Sequence, residues 1–163
     1  MKHINVFIAS SSELKRERME LVDLIQDMNE DLERRDIKFK PVLWEYMDSS
    51  MRAARKEDEY LEKLRESEIC IVLFWKTIGE YTVEELNVAV LEMKNGRFPK
   101  EVHVLFKEPA ENASEELISF KNGFSYTYAL DQIVFENAKI LRMQVEKLLT
   151  DYINKYTYRK ENE

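Results

Sequence analysis

Residues 4–9 (INVFIA) are rich in β-branched and aromatic side chains and stop at Ser10-Ser11-Ser12. That pattern predicts a buried strand running into a helix start. Leu14, Leu21, Ile25, Met28 and Leu32 then recur in steps of three, four and seven, which places them on one stripe of an amphipathic helix. A second strand is expected over residues 39–46, with Pro41 at a strand start or an edge, where a missing N–H does no harm. A charged stretch runs on to Glu66, helical at least over residues 60–64. Residues 69–75 (ICIVLFW) show no polar alternation and read as a central strand covered on both faces. Val83, Leu86, Val90 and Met93 mark another helix, which Gly96 caps in the left-handed conformation and Pro99 keeps from continuing. Residues 102–106 form a fourth strand and 109–120 a loop with a short helix. Residues 124–129 (FSYTYA) read as a short fifth strand. The last helix carries a stripe of Val134, Ala138, Leu141, Val145, Leu148 and Tyr152.

Strands and helices alternate throughout, which predicts a parallel sheet with helices on both faces. The expected fold is α/β: a three-layer, flavodoxin-like, five-stranded parallel sheet of order 2-1-3-4-5, one domain over residues 1–158 with a polar tail at 159–163. In such sheets ligands bind outside the carboxyl ends of the strands, where the strand order reverses. The loops at residues 10–13 and 75–85 should therefore lie side by side.

Composition narrows the class. The chain has 163 residues, 44% of them hydrophobic, with 3 Gly and 3 Pro, which excludes collagen-like and low-complexity chains. Its 25 basic and 32 acidic side chains leave a net charge of −7, the wrong sign for a nucleic-acid partner. One cysteine, Cys70, and two histidines give no internal disulfide and little basis for a zinc site. The first apolar run is too short for an export signal or a membrane span. A cytoplasmic protein with no membrane partner is expected.

The candidate chemistry gathers at the two loops. Ser10-Ser11-Ser12-Glu13 has the form of a capping box, in which Ser10 accepts a helix N–H and Glu13 reaches back. It equally suits a cradle for a phosphate or ribose, and the two roles are compatible. No G-x-G-x-x-G and no Walker A stretch occurs, so neither a dinucleotide fingerprint nor a P-loop is supported. Thr82 and Glu85 have capping-box spacing too. On a helical wheel Glu84 lies about 160° from Leu86 and Glu85 about 100°. Glu84 thus faces solvent, whereas Glu85 flanks the buried stripe at the crevice mouth, where a carboxylate can stabilise positive charge developing on a sugar. Trp44 at the end of strand 2, Trp75 at the end of strand 3 and Tyr81 serve either as rim packing or as stacking surfaces for a base or nicotinamide ring. Arg52, Arg55 and Lys56 form a solvated face opposite Glu57, Asp58 and Glu59, or supply a cation to a diphosphate. Cys70 should be buried and inert.

Residues 6–13 (VFIASSSE) resemble the first box of bacterial Toll/interleukin-receptor (TIR) domains, a V-F-I-S-type strand with a serine-rich turn. Residues 81–86 (YTVEEL) are similar to the W-C-x-x-E-L segment that follows the third strand of that family. The resemblance implies the same flavodoxin-like fold. It also implies an NAD+ nucleosidase, a hydrolase of the nicotinamide–ribose bond that acts in bacterial immune or stress signalling and is activated by self-assembly. NAD+ would be substrate, with no cofactor and no metal. Glu85 takes the position of the family's catalytic glutamate, Tyr81 stands where the family has Trp, and Thr82 where it has Cys. Ser10, Ser11, Ser12, Trp44, Trp75 and Tyr81 would contact the substrate. The family's gating loop after strand 2 falls at about residues 46–55. Two other readings compete: a non-enzymatic TIR adaptor or oligomerisation module, and a nucleoside deoxyribosyltransferase-like enzyme, whose D-x-G-T stretch is missing from residues 76–82.

Overall fold

Five short runs rich in β-branched and aromatic residues pair into one parallel sheet: β1 (Lys2–Ser10), β2 (Ile37–Val42), β3 (Ile69–Phe74), β4 (Glu101–Lys107) and β5 (Gln132–Phe135). The strand order is β2-β1-β3-β4-β5, the flavodoxin-like, TIR-type order expected from alternation. The structure, a computed structural model, describes residues 1–46, 57–79 and 81–157. Arg52, Arg55, Lys56, most of the loop expected to gate the site and the polar tail lie outside those residues. The described helices are α1 (Lys15–Leu32), α2 (Glu57–Arg65), α3 (Thr82–Lys94), α4 (Glu115–Tyr128) and α5 (Ala138–Tyr156).

Successive strand residues point to opposite faces, and the core divides accordingly. Ile4, Val6 and Ile8 of β1 with Ile69, Ile71 and Leu73 of β3 pack under α1 and α5. Phe7, Ala9, Cys70, Val72 and Phe74 pack under α2, α3 and α4. All six residues of β3 are buried, as a central strand requires. Pro41 lies on the edge strand, opposite Val6. Gly96 follows α3 with φ +74, the left-handed stop read from the sequence. Among the described residues, no helix is long and apolar enough to cross a membrane.

Three expectations are corrected. The FSYTYA segment is the end of α4, not a strand. Ser114 caps that helix through Leu117 N, and Phe120, Phe124 and Tyr128, at helical spacing, contact one another. Phe120 also packs on Phe74 and Phe106. Packing on the sheet overrides the β-propensity of the aromatic run. The fifth strand is instead Gln132–Phe135, so Val134 belongs to β5. The last helix begins after Asn137, whose side chain accepts from Ile140 N, and Leu149 rather than Leu148 is fully buried on its stripe. Strand 2 ends at Val42, and Trp44 sits beyond it in a 3-10 turn, Trp44–Tyr46.

Candidate functional site

β1 and β3 are hydrogen-bonded neighbours, with Ser10 opposite Leu73, so the loops leaving their carboxyl ends meet. One side chain joins them. The Glu13 carboxylate accepts the N–H of Lys76 at 2.6 Å and of Thr77 at 3.2 Å, and the Thr77 hydroxyl at 2.7 Å. The capping box expected at Ser10 does not form. Ser10 Oγ donates to Ser11 O, the residue before the first 3-10 turn is Ser11, and it makes no side-chain cap bond. Glu13 reaches across to the next loop instead of back along its own.

Gly79 brings the second loop close. A Cβ there would lie 2.5 Å from Thr82 Oγ1 and 3.1 Å from Ser11 Cα, so only glycine lets the β3–α3 loop pack down on the serine turn. Between the loops opens a cavity of about 660 Å³, within the usual span of small-molecule sites. Its walls include Ser10, Ser11, Ser12, Trp44, Tyr81 and Glu85.

Glu85 is 4% exposed, while neighbouring Glu84 is exposed. The capping box read at Thr82 does not form either: Tyr81 is the N-cap of α3, without a side-chain cap bond, and Thr82 is already the first helical residue. A carboxylate so deeply placed costs desolvation free energy, and buried carboxylates at cavity walls are a frequent mark of functional sites. Cys70 lies behind the wall, wholly buried; burial first, and then the negative charge of Glu85, push its thiol pKa up. It is therefore a packing residue without nucleophilic character.

The tryptophans separate. Trp44 lines the cavity and meets buried Tyr60 edge-on, with ring centroids 5.5 Å apart. Trp75 does not line it. Following the alternation of β3, Trp75 packs with the α1/α5 core. Its indole N–H donates to Pro109 O at 2.9 Å, and Lys76 and Lys107 lie over the ring at 4.4 and 4.2 Å. The expected pair of tryptophans flanking one crevice is thus a single tryptophan.

Sequence reasoning missed Arg18 and Tyr60. Arg18 is 7% exposed, lines the cavity and forms an ion pair with Glu45. Its signal was its position: Leu14, Arg18, Leu21 and Ile25 share one helical stripe, so a cation stands where packing calls for an apolar residue. Tyr60 is the aromatic start of the short apolar stripe it forms with Leu61 and Leu64. Among the described residues, no group of three or more His, Cys, Asp or Glu side chains is arranged to hold a metal ion.

No family model matches the chain, and no curated protein matches it. Among solved structures it is similar to RosB with a bound 8-demethyl-8-formylriboflavin-5'-phosphate intermediate, at 13% identity and a TM-score of 0.37, over 94% of this chain and 81% of that one. So distant a likeness adds nothing to the fold read directly from the strands.

Proposed function

We propose that this chain is a TIR-like NAD+ nucleosidase with Glu85 as its catalytic carboxylate. The observation that carries the proposal is the burial of Glu85 in the wall of the cavity under the serine turn, at the reversal point of the strand order. Ser10, Ser11 and Ser12 are the candidate ribose and phosphate contacts. Trp44 and Tyr81 are the candidate stacking surfaces, and Trp75 drops out because its ring lies elsewhere. The family resemblance itself rests on residues 6–13 and 81–86.

The chemistry asks little of the protein. The nicotinamide ring nitrogen of NAD+ is cationic, so when its bond to C1′ of the ribose breaks, the bonding pair neutralises it and nicotinamide leaves uncharged. Positive charge passes to the ribose as an oxocarbenium-like state, which a carboxylate held beside C1′ stabilises. Preorganised charge of this kind is worth about 10²–10³ in rate. Water then adds its oxygen to C1′ and gives up a proton. The products are nicotinamide, ADP-ribose and a proton, or a cyclic relative where an internal nucleophile replaces water. Activation by self-assembly, a cytoplasmic location and an immune or stress role come from the resemblance alone.

The test is nicotinamide release from NAD+ by the purified chain, dilute and with a crowding agent, beside Glu85→Gln and Glu84→Gln. Loss of release in Glu85→Gln alone is expected. Release that survives Glu85→Gln refutes the assignment. No release from the wild type under any assembling condition favours the adaptor reading.

A further inference from the structure

We infer that Arg18 and Ser11 form an anion subsite in this cavity, which takes the phosphate or diphosphate of a nucleotide ligand. The inference rests on reading the cavity as a nucleotide site and fixes how the ligand lies in it: anionic end at Arg18, glycosidic bond at Glu85.

Arg18 is the one cationic side chain among the described residues lining the cavity. It sits on the buried stripe of α1, held in a fixed orientation. Its Nη1 donates to Ser11 O at 2.9 Å and to Ser10 Oγ. Its Nε, at 2.9 Å, and its Nη2 both donate to Glu45 Oε1. A guanidinium has five N–H groups, so one, on Nη2, has no acceptor among the described residues.

Ser11 supplies the independent observation. The residue is 6% exposed and lines the cavity, and its hydroxyl is buried without a hydrogen-bond partner among the described residues. A buried hydroxyl left unpaired is costly, and a phosphate oxygen would take it up. Glu45 is a holding partner for the arginine. Both donors converge on Oε1, and Oε2 is buried with no hydrogen-bond partner among the described residues. The pair keeps the buried cation compensated and presents a preformed guanidinium to an entering anion. With a cation at one wall and a carboxylate at another, the cavity suits a ligand that carries charge of both signs.

Calorimetric titration of ADP and of adenosine into the full chain tests this. Wild type should bind ADP at least about tenfold more tightly than adenosine, as expected for hydrogen bonds to a charged group. The preference should fall several-fold in Ser11→Ala, disappear in the Arg18→Gln/Glu45→Gln double variant and persist in Glu85→Gln. The double variant removes both members of the pair, so no lone buried charge remains; if it fails to fold, Ser11→Ala decides. Equal affinity for ADP and adenosine, binding of neither, or a preference that survives these changes overturns the subsite. A chain that prefers ADP yet releases no nicotinamide keeps the subsite and loses the nucleosidase. Release of nicotinamide with an ADP affinity indifferent to Arg18 and Ser11 does the reverse.

Discussion

Replacing Glu13 with alanine should cost far more than a lost helix cap. Three groups of the β3–α3 loop converge on its carboxylate, two of them within 2.7 Å. Hydrogen bonds to a charged group contribute about 1.5–3 kcal/mol each. Two short bonds at the lower end give roughly 3 kcal/mol. Thr77 is exposed, and solvent screening of its share brings the expected loss to about 2 kcal/mol. A capping carboxylate would lose only about 1 kcal/mol. Urea unfolding of wild type, Glu13→Ala, Thr77→Val and the double variant measures both the loss and the coupling. The coupling should reach about 1 kcal/mol, because the two residues share a bond. Nicotinamide release should fall in parallel as the loops separate. A loss of about 1 kcal/mol or less, strictly additive with Thr77→Val, would mean that Glu13 acts only within its own turn and that the two loops are held together by something else.

Gly79→Ala should destabilise by about 1–3 kcal/mol, because the new methyl meets Thr82 Oγ1 and the Ser11 backbone and β-branched Thr82 is stiff; thermal melting of Gly79→Ala/Thr82→Ala should show partial recovery. Cys70 should resist a thiol reagent in the native protein and react only in denaturant, since burial and then the charge of Glu85 keep its thiol protonated; rapid native labelling would contradict its burial. Trp44→Ala should raise KM for NAD+, whereas Trp75→Phe should leave KM and kcat unchanged while losing about 1 kcal/mol of stability with its hydrogen bond to Pro109. The opposite ranking in steady-state kinetics would return Trp75 to the site.

Features set by local periodicity were legible in the sequence. The wholly apolar run at residues 69–75 located the central strand, alternation located the crevice, and the helical wheel distinguished buried Glu85 from exposed Glu84. Features set by contacts between distant residues were not. FSYTYA has the composition of a strand, and nothing local reveals that Phe124 packs on Phe106 of β4 while Phe120, one turn earlier on the same helix, packs on Phe74 of β3. Glu13 has the spacing of a cap, and nothing local reveals that the N–H groups of Lys76 and Thr77 lie within reach. Arg18 was visible as a cation on an apolar stripe, but its partner Glu45 lies 27 residues away. Trp75 shows the converse: its parity along β3 already grouped it with Ile69, Ile71 and Leu73 in the core under α1 and α5, a consequence of two-residue alternation that its place at the strand end obscured.

The most direct measurement is a crystal structure of the Glu85→Gln chain with NAD+ bound. The nicotinamide ribose should lie with C1′ roughly 3–4 Å from the residue-85 side chain, the spacing expected of groups that act on one another, beneath the serine turn and beside Trp44. NAD+ bound elsewhere, or bound here with its nicotinamide ribose turned away from residue 85, would contradict the assignment of Glu85 as the group that opens the glycosidic bond.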